Sequence, residues 1–168
     1  MPPPGSEGRK SSFAPVVDSQ TRLLILGSLP GEMSLAEQRY YAHPRNRFWH
    51  LVGIVIAVDL VALPYDQRLA ALRACHIGLW DVIASATRPG SLDAAIRDAA
   101  HNPLADIAAT LPTLRAVAFN GATAAKAGRR LLADSGLALI DLPSSSPAHA
   151  AMPLAEKTQR WRELQRFL

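Results

Sequence analysis

The sequence predicts an α/β protein: a three-layer α/β/α sandwich around a central, mainly parallel sheet of about four strands. Three observations carry this expectation. Four short apolar runs, 23–28 (LLILGS), 77–84 (IGLWDVIA), 114–120 (LRAVAFN) and 137–143 (LALIDLP), are closed by turn residues and read as buried strands. Helical patterns separate them, and strands alternating with helices build parallel sheets covered on both faces. The chain has 168 residues, the size of one domain with one core.

Residues 1–20 hold three consecutive prolines, Gly5, Gly8 and several serines, and read as a flexible tail before a single domain over 21–168. Ser34-x-x-Glu37 has the form of a capping box opening a short helix that Pro44 stops. Helices are predicted over 47–60 and, after Pro64, over 65–75. Ser91 is expected to cap a helix at 92–100, and Pro103 to start one at 103–110, with Asn102 as its cap. The alanine-rich stretch 121–135 runs to Gly136. The last helix, 154–168, sets Leu154, Trp161, Leu164 and Leu168 on one face.

Composition excludes several classes. No apolar run reaches the ~18 residues of a membrane span, and the N-terminus lacks the apolar stretch of a secretory signal, so a cytoplasmic protein without membrane attachment is expected. A single cysteine, Cys75, excludes a disulfide framework and four-cysteine metal sites. Cys75-His76 has no further ligand company, so no metal and no cofactor are expected. The net charge is +4, and arginine supplies fifteen of the eighteen basic residues. From Arg39 to His50 the chain carries Arg39, His43, Arg45, Arg47 and His50 without an acid, among Tyr40, Tyr41, Phe48 and Trp49. Bases interleaved with aromatics suit backbone phosphates and stacked nucleobases. A solvated helix edge over an aromatic core has the same composition.

In parallel sheets, ligands sit beyond the carboxyl ends of the strands. The segments leaving those ends are GSLPGEMS (27–34), SATRPG (85–90), FNGA (119–122) and LPSSSPAHA (142–150). The first has glycines but no following Gly-Lys-Ser/Thr, and it is neither a phosphate loop nor a dinucleotide fingerprint. Taken in order, GSLPGEMSLAEQRYYAHPRNRFW (27–49), GLWDV (78–82), RPGSLDAAI (88–96), FNG (119–121) and LPSSSPAHA (142–150) closely resemble the hypoxanthine-DNA glycosylase family, a branch of the uracil-DNA glycosylase superfamily. The resemblance runs from about Phe13 to the C-terminus. It implies a parallel sheet between helices, matching the independent reading. It also implies a monofunctional DNA glycosylase for flipped-out deaminated bases in base excision repair, with hypoxanthine (deoxyinosine) favoured and DNA as the partner of a monomer. Uracil, xanthine or mismatch excision by the same pocket is the alternative, and a non-catalytic binder of damaged or single-stranded DNA is the alternative of another class.

The resemblance implies Asn46 and Asn120 as catalytic residues, Asn46 for the water and Asn120 for reading the base. Both also precede helical patterns as N-caps do. Gly27, Ser28, Phe48 and His149 are the candidate base pocket. Arg45, Arg47, Ser144, Ser145 and Ser146 are the candidates for the DNA backbone. Leu29 and Leu142 stand where better-known branches of the superfamily carry polar catalytic residues, and His149 stands where the family's loop has asparagine. Asp81, the one acid inside a strand-like run, reads either as a catalytic carboxylate or as a buried acceptor paired with Arg88. Lys126 lies inside a helical pattern and is expected to face solvent, which disfavours Schiff-base chemistry.

Overall fold

The computed structural model describes residues 9–168. In chain order the strands are β1 (Arg9–Ser11), β2 (Leu23–Gly27), β3 (Ile77–Asp81), β4 (Ile83–Thr87), β5 (Arg97–His101), β6 (Ala116–Asn120) and β7 (Ala138–Leu142). The helices are α1 (Glu32–Glu37), α2 (Phe48–Ile56), α3 (Tyr65–Ala74), α4 (Leu104–Ala109), α5 (Ala122–Leu131) and α6 (Leu154–Arg162). Four strands form a parallel sheet in the order β3-β2-β6-β7, and these are the four runs expected from the sequence. Among the described residues, no helix is long and apolar enough to cross a membrane.

Both faces of this sheet are covered, which is why its inner strands are apolar throughout rather than alternating. In β2, Leu23 and Ile25 pack with α2, α3 and α6 through Phe48, Leu72 and Trp161. Their neighbours Leu24 and Leu26 pack on the other side with α4 and α5 through Leu104 and Ala124. Side chains two apart share a face. That parity carries the last residues of three adjacent strands, Gly27, Asp81 and Asn120, to the face covered by α2, α3 and α6.

A second sheet was not expected. Strands β1, β4 and β5 pair antiparallel in the order β1-β4-β5. The segment expected as a helix over 92–100 forms only a short 3-10 turn at Asp93–Ala95 and then β5. Its helical alanine pattern yields to pairing with β4, a case of tertiary context overriding local propensity. Residues 9–20 are likewise no tail. Strand β1 pairs with β4, Val16 bridges to Leu79, and Phe13 packs edge-on against Tyr40. Residues 1–8 lie outside the described stretch.

The capping box at Ser34 is also corrected. Ser34 is the third residue of α1, is buried, and accepts the Ala42 N–H on its Oγ. The first N–H of α1, on Glu32, is instead capped by Ser91 Oγ from a distant segment, at 2.9 Å. The helix ends at Gln38 in a left-handed conformation, six residues before Pro44. Helix α2 stops at Ile56 because Ala57 turns left-handed and Val58 N–H folds back onto the Gly53 carbonyl. The last helix becomes 3-10 after Arg162, and only Trp161 and Leu164 of its expected face are fully buried.

On α5, Gly128 faces Phe119 of β6 so closely that an added Cβ would lie 2.2 Å from its ring. Gly128→Ala should therefore lose about 1–3 kcal/mol to overpacking, more than the roughly 1 kcal/mol that alanine gains by helix propensity. A lower midpoint at unchanged slope in urea unfolding would register the difference.

Candidate active site

Strand β2 reaches its end one residue before the Ser28 turn, and there Gly27 stands in register with Asp81 of β3. A Cβ on Gly27 would lie 2.7 Å from Asp81 Oδ1 and 2.9 Å from Tyr41 Oη. The missing side chain is what lets a carboxyl from the sheet and a phenol from the loop after α1 approach the same point. Tyr41 comes in at φ 54°, a left-handed conformation rare for an aromatic residue, and its ring stacks on Phe48 at 3.8 Å between centroids. The cavity in front of these groups has a volume of about 310 Å³. Gly27, Ser28, Tyr41, Asn46, Asp81, Asn120 and His149 all line it, together with His43 and the serine loop.

Each expected site residue has a definite position. Asn46 is half-buried, and its Oδ1 accepts the Phe48 N–H at 3.0 Å, starting α2. That bond fixes the amide, because a backbone N–H can only be met by the oxygen; the Nδ2 donor has no partner among the described residues. The asparagine is thus a helix-start residue and a pocket donor at once.

Asn120 caps nothing: Gly121 is the N-cap of α5. The Asn120 Oδ1 accepts Ser145 N–H and its Nδ2 donates to Ser145 Oγ, both at 2.9 Å. The amide edge expected to read the base is therefore taken up by the serine loop, which it holds against the strand ends. The same contacts hold Ser145, expected at the DNA backbone, in the cavity wall. It is 1% exposed, its hydroxyl and N–H face Asn120, and its carbonyl accepts the Arg47 N–H. Ser144 and Ser146 stay half-buried at the cavity wall, their Oγ atoms accepting the N–H groups of Ser146 and Ala148 in local turns.

Phe48 is a correction too. It is fully buried between Tyr41, Trp49 and Trp161 and does not line the cavity; Tyr41 covers it. Ser28 lines the cavity while donating to Asp93 Oδ1 at 2.7 Å. His149 lines it with a buried Nδ1 that has no partner among the described residues. Lys157 of α6 donates to the His149 carbonyl at 2.6 Å, and burial lowers its pKa, with Arg47 adding to the effect. Lys126 is exposed, as expected. Arg45 and Arg47 are exposed and flank the lining residue Asn46 in the chain. Leu29 packs with Ile83 and Ala86 at the cavity wall, and Leu142 belongs to the core.

Of the two sequence readings of Asp81, a catalytic carboxylate or a buried acceptor paired with Arg88, the structure does not make the pair. Arg88 is 2% exposed and gives its guanidinium hydrogens to the carbonyls of Leu29, Pro30 and Gly90, which holds the turn after β2. Asp81 is 3% exposed, and its Oδ2 is buried without a partner among the described residues. Burial pushes its pKa up to about 7, Asp93 adds to the rise, and Arg88 opposes it. The hydroxyl of Tyr41 is also buried without a partner among the described residues, and burial followed by the nearby Asp81 charge raises its pKa, which the Asn120 amide moderates. Asn102, expected as a cap, instead donates to the Asp81 carbonyl at 2.8 Å and to Ser12 Oγ at 3.1 Å, fixing the end of β3. The signal for Asp81 lay in the sequence, as an acid closing an apolar strand; Tyr41 was marked only as one of several aromatics and Asn102 only as a cap. Among the described residues, no group of His, Cys, Asp and Glu could hold a metal.

The raised carboxyl pKa has a consequence for stability. Folded Asp81 keeps its proton up to about pH 7, whereas the unfolded group releases it near 3.8. The native state binds more protons between those values, so this group makes stability fall as pH rises through that window and leaves it level above. Asp81→Asn carries no such proton. In thermal unfolding across a pH series, its stability relative to wild type should climb from about pH 4 to about pH 7 and then stay flat; a constant difference would contradict the assigned ionisation.

Comparison with known proteins places these motifs. The profile of the Uracil DNA glycosylase superfamily matches residues 14–165. A protein named hypoxanthine DNA glycosylase from Methanosarcina acetivorans is 42% identical over 142 residues, covering 83% of this chain and 88% of that one. Another of the same name, from Methanosarcina barkeri, is 44% identical over 113 residues, 67% of this chain and 72% of that protein. A solution NMR structure from Methanosarcina acetivorans, bearing a provisional uracil DNA glycosylase name, superposes with a TM-score of 0.85 at 37% identity. It covers 94% of this chain and 97% of its own.

Proposed function

The chain belongs to the uracil DNA glycosylase superfamily, and on that premise we propose that it is a monofunctional DNA glycosylase. It hydrolyses the N-glycosidic bond of a flipped-out deaminated base, hypoxanthine ahead of uracil, in base excision repair. The observation that carries this reading is the cavity at the strand ends, which gathers the motif residues Gly27, Asn46, Asn120 and His149 around about 310 Å³. That volume is near the lower bound, about 300 Å³, of ordinary ligand pockets and suits one base rather than a dinucleotide. The hypoxanthine preference rests on the names of the two archaeal relatives.

The reaction asks for an extruded nucleotide, donors toward the departing base and a held water. Asn46 offers an amide N–H whose direction is set by the start of α2, and we assign it to the attacking water. Asn120 acts through Ser145, keeping the serine loop closed over the base. His149 offers an imidazole nitrogen to the charge that develops on the leaving base. Arg45 and Arg47, with the hydroxyls of Ser144 and Ser146, are suited to phosphates beside the flipped nucleotide. No lysine lines the cavity among the described residues, in keeping with hydrolysis rather than a Schiff-base route. The protein is read as a cytoplasmic monomer that acts on DNA. A binding module without catalysis is the second reading, favoured by Leu29, an apolar side chain in the cavity wall.

Single-turnover cleavage of oligonucleotides with one deoxyinosine or one deoxyuridine, developed with alkali, decides between these readings. Deoxyinosine should be cleaved faster. No cleavage of either by folded protein that still binds the DNA would leave the binding module. Asn46 separates its two roles by substitution: Asn46→Ala should lose roughly 100-fold or more in cleavage and about 1 kcal/mol of stability, whereas Asn46→Asp keeps the helix-start acceptor and loses only cleavage.

Arg45→Ala and Arg47→Ala should each weaken binding to any sequence alike and reduce the slope of log affinity against log salt by about 1. Fluorescence anisotropy over a salt series, on lesion and undamaged duplexes, measures both effects.

A further inference from the structure

One polar side chain in the cavity stands out among those that no role above uses. Asp81 is 3% exposed, lines the cavity, and has an Oδ2 without a partner among the described residues. A buried carboxyl with no donor costs stability, and its usual explanation, a structural ion pair, fails because Arg88 gives its hydrogens to three carbonyls. Its surroundings are nonetheless arranged around it. Gly27 leaves room for it, Asn102 fixes its backbone carbonyl, and Tyr41 sets beside it a second polar atom without a partner among the described residues.

We propose that Asp81, as a neutral carboxyl, is the residue that meets the lactam edge of the extruded base. Its O–H donates to O6 of hypoxanthine, its other oxygen accepts N1–H, and no proton is transferred. The role rests on the glycosylase reading and supplies the base-edge contact that Asn120, turned onto Ser145, does not make. The neutral form is required on two grounds. Only a protonated carboxyl offers a donor and an acceptor together. An ionised one beside a base leaving with negative charge would repel it.

The groups facing Asp81 favour that form. Tyr40 and Tyr41 approach from the loop after α1 and Asp93 from the segment after β4. Arg88 is the one cation with a resolved effect on it, opposing the rise that burial and Asp93 produce, so that the carboxyl titrates at about pH 7. Glu32, His43 and His149 complete the titratable lining.

The test follows single-turnover cleavage of a deoxyinosine oligonucleotide at saturating enzyme from pH 5.5 to 9. Wild-type cleavage should fall as pH rises through about 7. Asp81→Asn, an amide with the same donor and acceptor, should keep cleavage within about tenfold of wild type at pH 6 and lose that fall. Asp81→Ala should lose roughly 100-fold. Binding is measured in parallel, comparing deoxyinosine with deoxynebularine, a purine lacking both O6 and N1–H: wild type should prefer deoxyinosine and Asp81→Ala should not. Cleavage by Asp81→Ala at the wild-type rate, or an Asp81→Asn as impaired as Asp81→Ala with activity that rises with pH, overturns the proposal. The second pattern assigns Asp81 as a carboxylate toward the sugar cation. A wild type that cleaves no lesion defeats the glycosylase reading alone, since the deoxyinosine–deoxynebularine comparison still decides Asp81.

Discussion

At the carboxyl end of β2, the chain must accommodate two polar groups from different parts of the molecule against one backbone carbon. Gly27 is in register with Asp81, and any side chain there would collide with both the Asp81 carboxyl and the Tyr41 hydroxyl. The cavity depends on that constraint. Because parallel strands in register place their last residues side by side, the glycine opens a space bounded by Asp81 on one strand and Asn120 on the other. Tyr41 closes it from the helical layer, pressed into place by the stacked ring of Phe48.

What holds this arrangement is a set of buried polar contacts made largely to backbone. Arg88 gathers the carbonyls of the turn after β2, and Asn102 ties the end of β3 to Ser12. Asn120 joins β6 to the serine loop, which the Arg47 N–H joins in turn to the start of α2. Trp161 donates to the Pro143 carbonyl and anchors the start of the loop on α6. Each such bond contributes only about 1 kcal/mol net, but leaving its buried partner unmet would cost more. They therefore specify one geometry for the loops more than they add bulk stability.

The electrostatics divide between surface and cavity floor. Exposed Arg45 and Arg47 flank the lining residue Asn46 in the chain, which carries a net charge of +4. The floor is made of amides, hydroxyls and a carboxyl that burial moves toward neutrality. Exposed positive charge attracts anions, while a weakly hydrated interior strengthens the directional hydrogen bonds made inside it.

Sequence patterning made the sheet legible. The four parallel strands, their helical cover and the loops at their carboxyl ends follow from apolar runs whose hydrophobicity is a local property. The motif segments likewise marked Gly27, Asn46, Asn120 and His149 as residues of one site. Elements whose stability comes from distant partners were not legible: β1 and β5 exist through pairing with β4, and α1 is capped by Ser91 from across the fold. The same holds for side-chain roles. Asn46 and Asn120 look alike before their helices, yet one accepts the first N–H of α2 with a donor to spare and the other is bound to Ser145. Phe48 and Tyr41 look alike as aromatics, yet only Tyr41 reaches the cavity. Asp81 stood beside a plausible cation in the chain, and the fold turned that cation elsewhere. Hydrogen-bond partners and burial are set by three-dimensional proximity, so they were decided only when the strands came into register.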